Sequence, residues 1–404
     1  VPDVACVPPQ PSLAKSLVTP SSVFFSSRSV RVRLSGDAAD RSYTITIGSG
    51  VLGGLGAAIH SQRTGSAGAG RAIVVADSAV LVSHAADVET SLQAAGIDTQ
   101  TLTVLAGESA KSVTEAARLW SELARLAADR HTHIVAVGGG VVGDLTGFVA
   151  ATFARGLPFW QVPTTLMAQV DSAVGGKTGI NLDAGKNLVG AFWQPLGVVA
   201  DINTLATLPD REFKSGLAEV VKYGMILDAQ FFGWLETNAH SLLTRDPAAI
   251  LHVVERSVAL KADVVERDEH ERSGLRAVLN YGHTFAHAFE TTAGYGVLLH
   301  GEAVAIGMAC AARLAMELGR IGADIVARQD RLLESLGLPL RAPCLRQTPA
   351  KKLLAVMALD KKTVAGQLNF VLPERLGHVG LVGGIDPSLV CRVLMQSLSS
   401  DCPA

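Results

Sequence analysis

"HIVAVGGGVVG", residues 133–143, runs an apolar strand straight into three glycines and satisfies G-x-G-x-x-G from Gly138 to Gly143. Such a strand, opening onto a helix, lets backbone amides approach a pyrophosphate. Upstream, "RAIVVAD" (71–77) is another continuous apolar run suited to a buried parallel strand. "RSYTITIGSG" (41–50) alternates Tyr43, Ile45 and Ile47 against Thr44 and Thr46, as a half-buried strand does. Ser112 and Glu115 form an S-x-x-E capping box ahead of Leu119, Trp120, Leu123 and Ala127 at helical spacing. Strands alternating with helices predict a doubly wound, mostly parallel sheet up to about residue 205. Beyond it, amphipathic segments around 211–236, 247–268, 278–293 and 301–319 predict a mainly helical unit. The expected organisation is a leader or tail over 1–35, a Rossmann-like α/β domain over 36–208 and a mainly α-helical domain over 209–395.

The 404 residues are enough for a substantial core, and 48% are hydrophobic. With 35 Lys and Arg against 37 Asp and Glu, net charge advertises no polyanion-binding surface, so no nucleic-acid partner is expected. The five cysteines are scattered without a CxxC, which fits free thiols in a reducing compartment. No stretch approaches the roughly 18–20 continuous apolar residues of a membrane span, and no membrane partner is expected. The first 35 residues are different: from Val7 to Leu34 they are rich in Ser and Pro, lack acidic residues and carry Lys15, Arg28, Arg31 and Arg33. That composition is typical of organelle transit segments and of disordered tails.

The glycine loop lacks the acid that a standard Rossmann unit places about 20 residues downstream, since "FWQVPTT" offers none. The acid that could reach ribose hydroxyls, Asp77, lies upstream at the end of "RAIVVAD". A second segment, "DSAVGGKTGINLDAGKNLVGAFWQP" (171–195), sets Asp171, Lys177, Lys186 and Asn187 among glycines, as a backbone folding closely around an anion would. Its "GGKT" imitates a Walker loop, but Asp171 stands where that motif needs its first glycine, and ATP hydrolysis is a poor reading.

Glu219 and Lys222 share a helix face in "SGLAEVVKYG", where polar side chains inside an apolar helix need partners or solvent. A catalytic zinc commonly takes three protein ligands. Glu219, His283, His287 and His300 are the candidates, and helical spacing alone would pair His283 with His287.

Taken in order, "GGGVVGDLTGFVAATFARG", "PTTLMAQVDSAVGGKTGINLDAGKNLVGAFWQP", "GLAEVVKYG", "GLRAVLNYGHTFAHAFE", "HGEAVAIGM" and "MALDKK" resemble the 3-dehydroquinate synthases, the shikimate-pathway branch of the sugar phosphate cyclases. The likeness runs from about residue 41 to 380. It implies a dehydroquinate synthase-like fold and a metal, zinc or else cobalt, held by Glu219, His283 and His300, with His287 turned to the substrate's phosphate end to assist proton movement. It implies NAD bound by Asp77, Glu108, Lys111, Gly139, Gly140, Val141, Asp144, Thr164, Thr165, Lys186, Thr207 and Leu208. One departure is Ala79, where the family often has Asn. The resemblance further assigns Lys177 and Arg276 to a carboxylate, Arg155, Asn280 and one of Lys361 and Lys362 to a phosphate, and Lys222, Lys261 and Asn187 to hydroxyls, with Asp171 in the same catalytic set. Arg suits a planar carboxylate and Lys a phosphate.

The activity so implied is that of a phosphate-eliminating lyase. It converts 3-deoxy-D-arabino-heptulosonate 7-phosphate to 3-dehydroquinate and phosphate, with NAD oxidising and then re-reducing one carbon. A homodimer in which Arg155 crosses to the neighbouring site is expected from the same source, and import into a plastid, failing which residence in the cytoplasm, from the leader's composition. Two other readings are a metal-dependent polyol dehydrogenase, which would have no use for anion seats such as Arg276, and a cyclase acting on an uncarboxylated sugar phosphate.

Overall fold

A computed structural model describes residues 27–34, 41–62, 70–294, 296–359 and 368–398. Its main sheet has seven strands: β1 (Arg28–Val32), β2 (Tyr43–Gly48), β3 (Arg71–Asp77), β4 (Asp98–Val104), β5 (His133–Gly138), β6 (Phe159–Pro163) and, after a hairpin of β7 (Lys177–Leu182) and β8 (Gly185–Phe192), β9 (Gly197–Asp201). The spatial order is β1-β2-β9-β6-β5-β3-β4, and every neighbouring pair is parallel except β1 with β2. β5, β6 and β9 are buried along their whole length, as strands covered on both faces are.

Helices α1 (Leu55–Ser61), α2 (Ala86–Ala94), α3 (Val113–Arg125) and α4 (Gly140–Thr152) cover the two faces. The strand period of two sorts the contacts: Ile73, Val75 and Ile134 meet Leu119, Leu123 and Leu145 on one side, while Val74, Val135 and Val137 meet Leu55, Val88 and Leu92 on the other. The capping box at α3 is half formed. Ser112 Oγ accepts from Glu115 N at 3.2 Å, but Ser112 N already donates to Ala110 O, and the Glu115 carboxylate turns to Arg118. Ala127 lies past the helix end with φ 51°.

The second unit comprises α5 (Asp210–Leu227), α6 (Ala229–Leu243), α7 (Pro247–Arg267), α8 (His283–Ala293), α9 (His300–Glu317), α10 (Ala323–Ser335), α11 (Ala350–Leu359), a hairpin of β10 (Asn369–Arg375) and β11 (His378–Gly383), and α12 (Pro387–Leu398). The segment 211–236 expected as one helix is two: Asp228 leaves the helical region at φ −151° and caps α6, accepting from Gln230 N and Phe231 N at 3.0 Å each. The run expected to turn helical at 278 does so as an α-helix only from His283, because Gly282 sits at φ 79°.

The boundary expected at residue 35 is also displaced. Residues 1–26 lie outside the described part, but Arg28–Val32 is the antiparallel edge strand, and Val32 and Leu34 are buried in the core that α5–α9 share. Arg28 pairs with Glu255, and Arg33 N donates to Glu266 Oε1 at 2.8 Å, both on α7. The strand thus belongs to the folded body and ties the sheet to the helical unit.

Candidate active site

Close helix crossings bring the metal-type ligands together. A Cβ at Gly301 would come within 1.8 Å of Ser215 O on α5, and one at Gly307 within 2.1 Å of Gly282 O, so only glycine allows α9 to lie this near its neighbours. The crossing places His300 at the start of α9, His283 at the start of α8 and Glu219 in mid-α5 around one point. Their ligand atoms all lie within 4.8 Å of one another, and this is the one such group of three among the described residues. Glu219 is fully buried; its Oε1 accepts no hydrogen bond and stands 3.5 Å from His283 Nε2 and 3.8 Å from His300 Nε2. A buried carboxylate oxygen left in that state is costly unless a cation completes it. One carboxylate and two imidazoles suit a borderline divalent ion such as zinc or cobalt and leave coordination positions open.

Both imidazoles are oriented from behind. His283 Nδ1 lies 3.1 Å from Tyr281 O, which fixes the proton on Nδ1 and turns the Nε2 lone pair toward Glu219. His300 Nδ1 lies 3.3 Å from Glu290 Oε2, a residue that spacing alone did not single out. His287 stands beside the group rather than in it, its ring 5.7 Å from that of His283 and 6.4 Å from that of His300.

Charged side chains continue away from this corner. Lys222 pairs with Glu219 at 2% and 0% side-chain exposure, so the pair is not the solvated i,i+3 bridge an isolated helix would carry. Lys261 pairs with Asp171 Oδ1 and also donates to Asp171 O at 2.8 Å, while Tyr223 OH donates to Asp171 Oδ1 at 2.5 Å. Burial alone would raise the Asp171 carboxyl, but the charges of Lys261 and Lys222 and the two side-chain hydrogen bonds hold it well below the usual range. Burial likewise pulls Lys222 down, and the Glu219 and Asp171 carboxylates more than reverse this. Burial wins at Lys261, whose ammonium is lowered.

A third cluster joins the two units. Lys177, at the start of β7, pairs with Glu271, whose φ of 55° is left-handed, and Arg276 Nε lies 4.0 Å from the same carboxylate. Arg276 is 2% exposed, and its Nη1 donates to Glu269 O at 2.8 Å. Lys177 and Arg276, one from each unit, thus converge on a single carboxylate.

The missing Rossmann acid is explained by strand order. Because β3 lies between β4 and β5, the chain reverses direction across the sheet between β3 and β5, and ligands of open α/β sheets bind at such a point. Asp77 ends β3 and the glycine turn ends β5, so the acid is one strand over rather than one strand on. Gly139 caps α4 with no side-chain hydrogen bond, leaving first-turn amides for an anion at Gly140 and Val141. Thr164 N donates to Gly138 O at 2.9 Å, setting Thr164 and Thr165 beside the turn. Lys111 reaches Asp144 Oδ2 at 2.7 Å and also Asn187, and Asn181 Nδ2 donates to Glu108 Oε1 at 2.7 Å. Thr207 Oγ1 lies 2.8 Å from His84 Nε2 and precedes Leu208 at the end of the sheet domain. Lys186 Nζ lies 3.3 Å from Glu290 Oε1 and so connects this end of the cleft to the metal-type corner. The "GGKT" run enters β7 and not a helix, unlike a Walker loop.

Asn280 is half-buried at the end of the 3-10 turn Leu275–Asn280. Arg155 is exposed, and Ala154 and Arg155 are both left-handed, at φ 49° and 67°. Lys361 and Lys362 lie outside the described residues.

Comparison with known proteins covers nearly all of this architecture. Two family profiles match end to end: 3-dehydroquinate synthase N-terminal over residues 101–215 and 3-dehydroquinate synthase C-terminal over 216–363. A 3-dehydroquinate synthase of Rhodopirellula baltica is 47% identical over 359 residues, which is 88% of this chain and 95% of that protein. Among solved structures, a 2-deoxy-scyllo-inosose synthase complexed with carbaglucose-6-phosphate, NAD+ and Co2+ is similar at TM-score 0.80 and 26% identity, covering 92% of this chain and all of that one, 100%. A 2-epi-5-epi-valiolone synthase from Streptomyces hygroscopicus with NAD+ and Zn2+ bound is similar at TM-score 0.80 and 27% identity, covering 91% and 100%.

Proposed function

The chain belongs to the 3-dehydroquinate synthase family of phosphate-eliminating lyases, and from that premise we propose that its cleft closes 3-deoxy-D-arabino-heptulosonate 7-phosphate to 3-dehydroquinate. The observation that carries this reading is the pairing of two things in one cleft: the Glu219, His283 and His300 group, and the anion seat of Lys177 and Arg276. A neutral polyol would leave that seat unused, which is why a dehydrogenase fits less well. A cyclase for an uncarboxylated sugar phosphate fits less well for the same reason, and the cyclase structures are also more distant in sequence, at 26% and 27% identity.

Glu219, His283 and His300 would hold a divalent metal, and Asp77, the Gly139 to Val141 turn, Lys111, Asp144, Thr164, Thr165, Lys186, Thr207, Leu208 and Glu108 would hold NAD. When bound, these groups supply Lewis acidity and reversible hydride acceptance. The chain's own residues do the rest. Lys177 and Arg276 take the substrate carboxylate in place of Glu271. Lys222, Lys261 and Asn187 donate to ring hydroxyls, and Asp171 keeps Lys261 aimed. His287, one turn beyond His283, moves a proton at the phosphate end. Asn280, Arg155 and one of Lys361 and Lys362 hold the departing phosphate.

Arg155 does this from a second subunit. Two consecutive left-handed non-glycine residues are costly locally and are kept where the turn has a use. The neighbouring hairpin leaves Leu182 and Val189 partly exposed, apolar side chains that a second copy would cover in a homodimer. No described helix is long and apolar enough to cross a membrane. Plastid import now rests on residues 1–26 alone, because Arg28 already begins β1. The bacterial relative lends it no support, and a fluorescent reporter fused to those residues decides it.

Purified protein given the heptulosonate phosphate and NAD should release phosphate with no accumulation of NADH. Growth of NADH absorbance in step with phosphate would replace the lyase reading with a dehydrogenase.

A further inference from the structure

Glu290 belongs to α8, and its carboxylate reaches partners on other elements. Its side chain is 7% exposed, and it spends its two oxygens on residues from opposite ends of the cleft: Oε2 lies 3.3 Å from His300 Nδ1, and Oε1 lies 3.3 Å from Lys186 Nζ. His300 is one of the three convergent ligand residues, and Lys186 sits on β8, the arm of the sheet domain that faces the cofactor end.

We propose that Glu290 is a positioning residue that couples metal binding to dinucleotide binding, by sharing one buried carboxylate between His300 and Lys186. The inference rests on the functional reading above for what His300 and Lys186 hold. A carboxylate behind a ligating histidine fixes the proton on the rear nitrogen and makes the front one a better donor. Here that carboxylate is also committed to an ammonium. When an anionic dinucleotide draws Lys186 toward its phosphates, more of the Glu290 charge is left for His300, and His300 becomes the stronger ligand. In reverse, a cation on His300 Nε2 makes the imidazole a stronger partner for Glu290 and releases Lys186 to the dinucleotide. Linkage requires the two effects to be equal in size. The two sites therefore favour each other, through a residue that touches neither bound group.

The test uses the full chain, with Co2+ titrated in a chelator buffer and followed by its visible absorption, with and without saturating NAD. In the wild type, NAD should tighten Co2+ binding by about fivefold or more. Glu290→Gln keeps an oxygen that accepts from His300 Nδ1 but has no charge to share. Its Co2+ affinity without NAD should fall less than that of Glu290→Ala, and the NAD effect should vanish. Glu290→Ala removes both contacts and should weaken Co2+ by about 10- to 100-fold. If the alanine variant does not fold, the glutamine variant decides alone. An NAD effect in Glu290→Gln equal to that of the wild type, or no NAD effect in the wild type, overturns the inference. A wild type that binds neither Co2+ nor NAD overturns the underlying functional reading instead.

Discussion

His283 and His287 stand one helical turn apart, yet only the former joins Glu219 and His300 in the group that could hold a metal. His300→Ala should therefore lose stoichiometric metal while His287→Ala retains it, and metal analysis of the two purified variants checks this; the reverse result would restore the adjacent pair. A second residue works at a distance from the chemistry. Asp268, 6% exposed, accepts from Arg272 N at 2.8 Å, Ser273 N at 3.1 Å and Arg276 N at 3.4 Å, shaping the loop that presents Arg276. Burial alone would raise its carboxyl, but the hydrogen bonds from Ser273, Arg276 and Arg272 depress it to about 2. A depressed carboxyl stabilises the fold above its unfolded value of about 3.9, and that contribution is lost as the pH falls through about 2. Asp268→Asn should cost about 2 kcal/mol at pH 7 in urea unfolding, with the gap to the wild type closing toward pH 2. A gap independent of pH would refute this role. Residues such as Asp268, Glu271 and Glu290 were not legible in the sequence, because their meaning lies in partners contributed by distant segments. The spacing of the histidines was legible, but spacing could not say which of them turns toward Glu219.

Strands β3 and β5 were legible as apolar runs, since burial on both faces leaves little room for polar residues. The break between α5 and α6 was not, because both sides of Asp228 are apolar and helical in pattern. β1 was hidden by its composition: arginines and serines facing outward resemble a leader, yet Val30, Val32 and Leu34 keep a period of two that points to a strand. Deleting residues 1–26 should leave stability and turnover unchanged. Deletion through residue 35 removes the buried Val32 and Leu34 and should cost on the order of 3–6 kcal/mol, read as a lowered denaturation midpoint. Equal midpoints for the two truncations would return the strand to the status of a tail.

For the molecule as a whole, the proposed shared site makes a prediction no single subunit can meet. Arg155→Ala and Lys177→Ala homodimers should both be inactive. A one-to-one mixture that exchanges subunits should recover about a quarter of the wild-type rate, since half the dimers are mixed and each rebuilds one site of two. Mixed dimers without activity would place Arg155 in its own chain's site or in none. The two-unit architecture itself was legible from the change in pattern near residue 205; the way the units are joined was not. The bond between Arg28 and Glu255 spans 227 residues. During synthesis at about 5–20 residues per second, the edge strand therefore waits roughly 10–45 s for the helix that covers it. Through that interval the sheet has an open border beside an apolar face. The nascent chain is at its most vulnerable to mispairing then, and slowing translation between β1 and α7 should lengthen this exposure and lower the yield of folded protein.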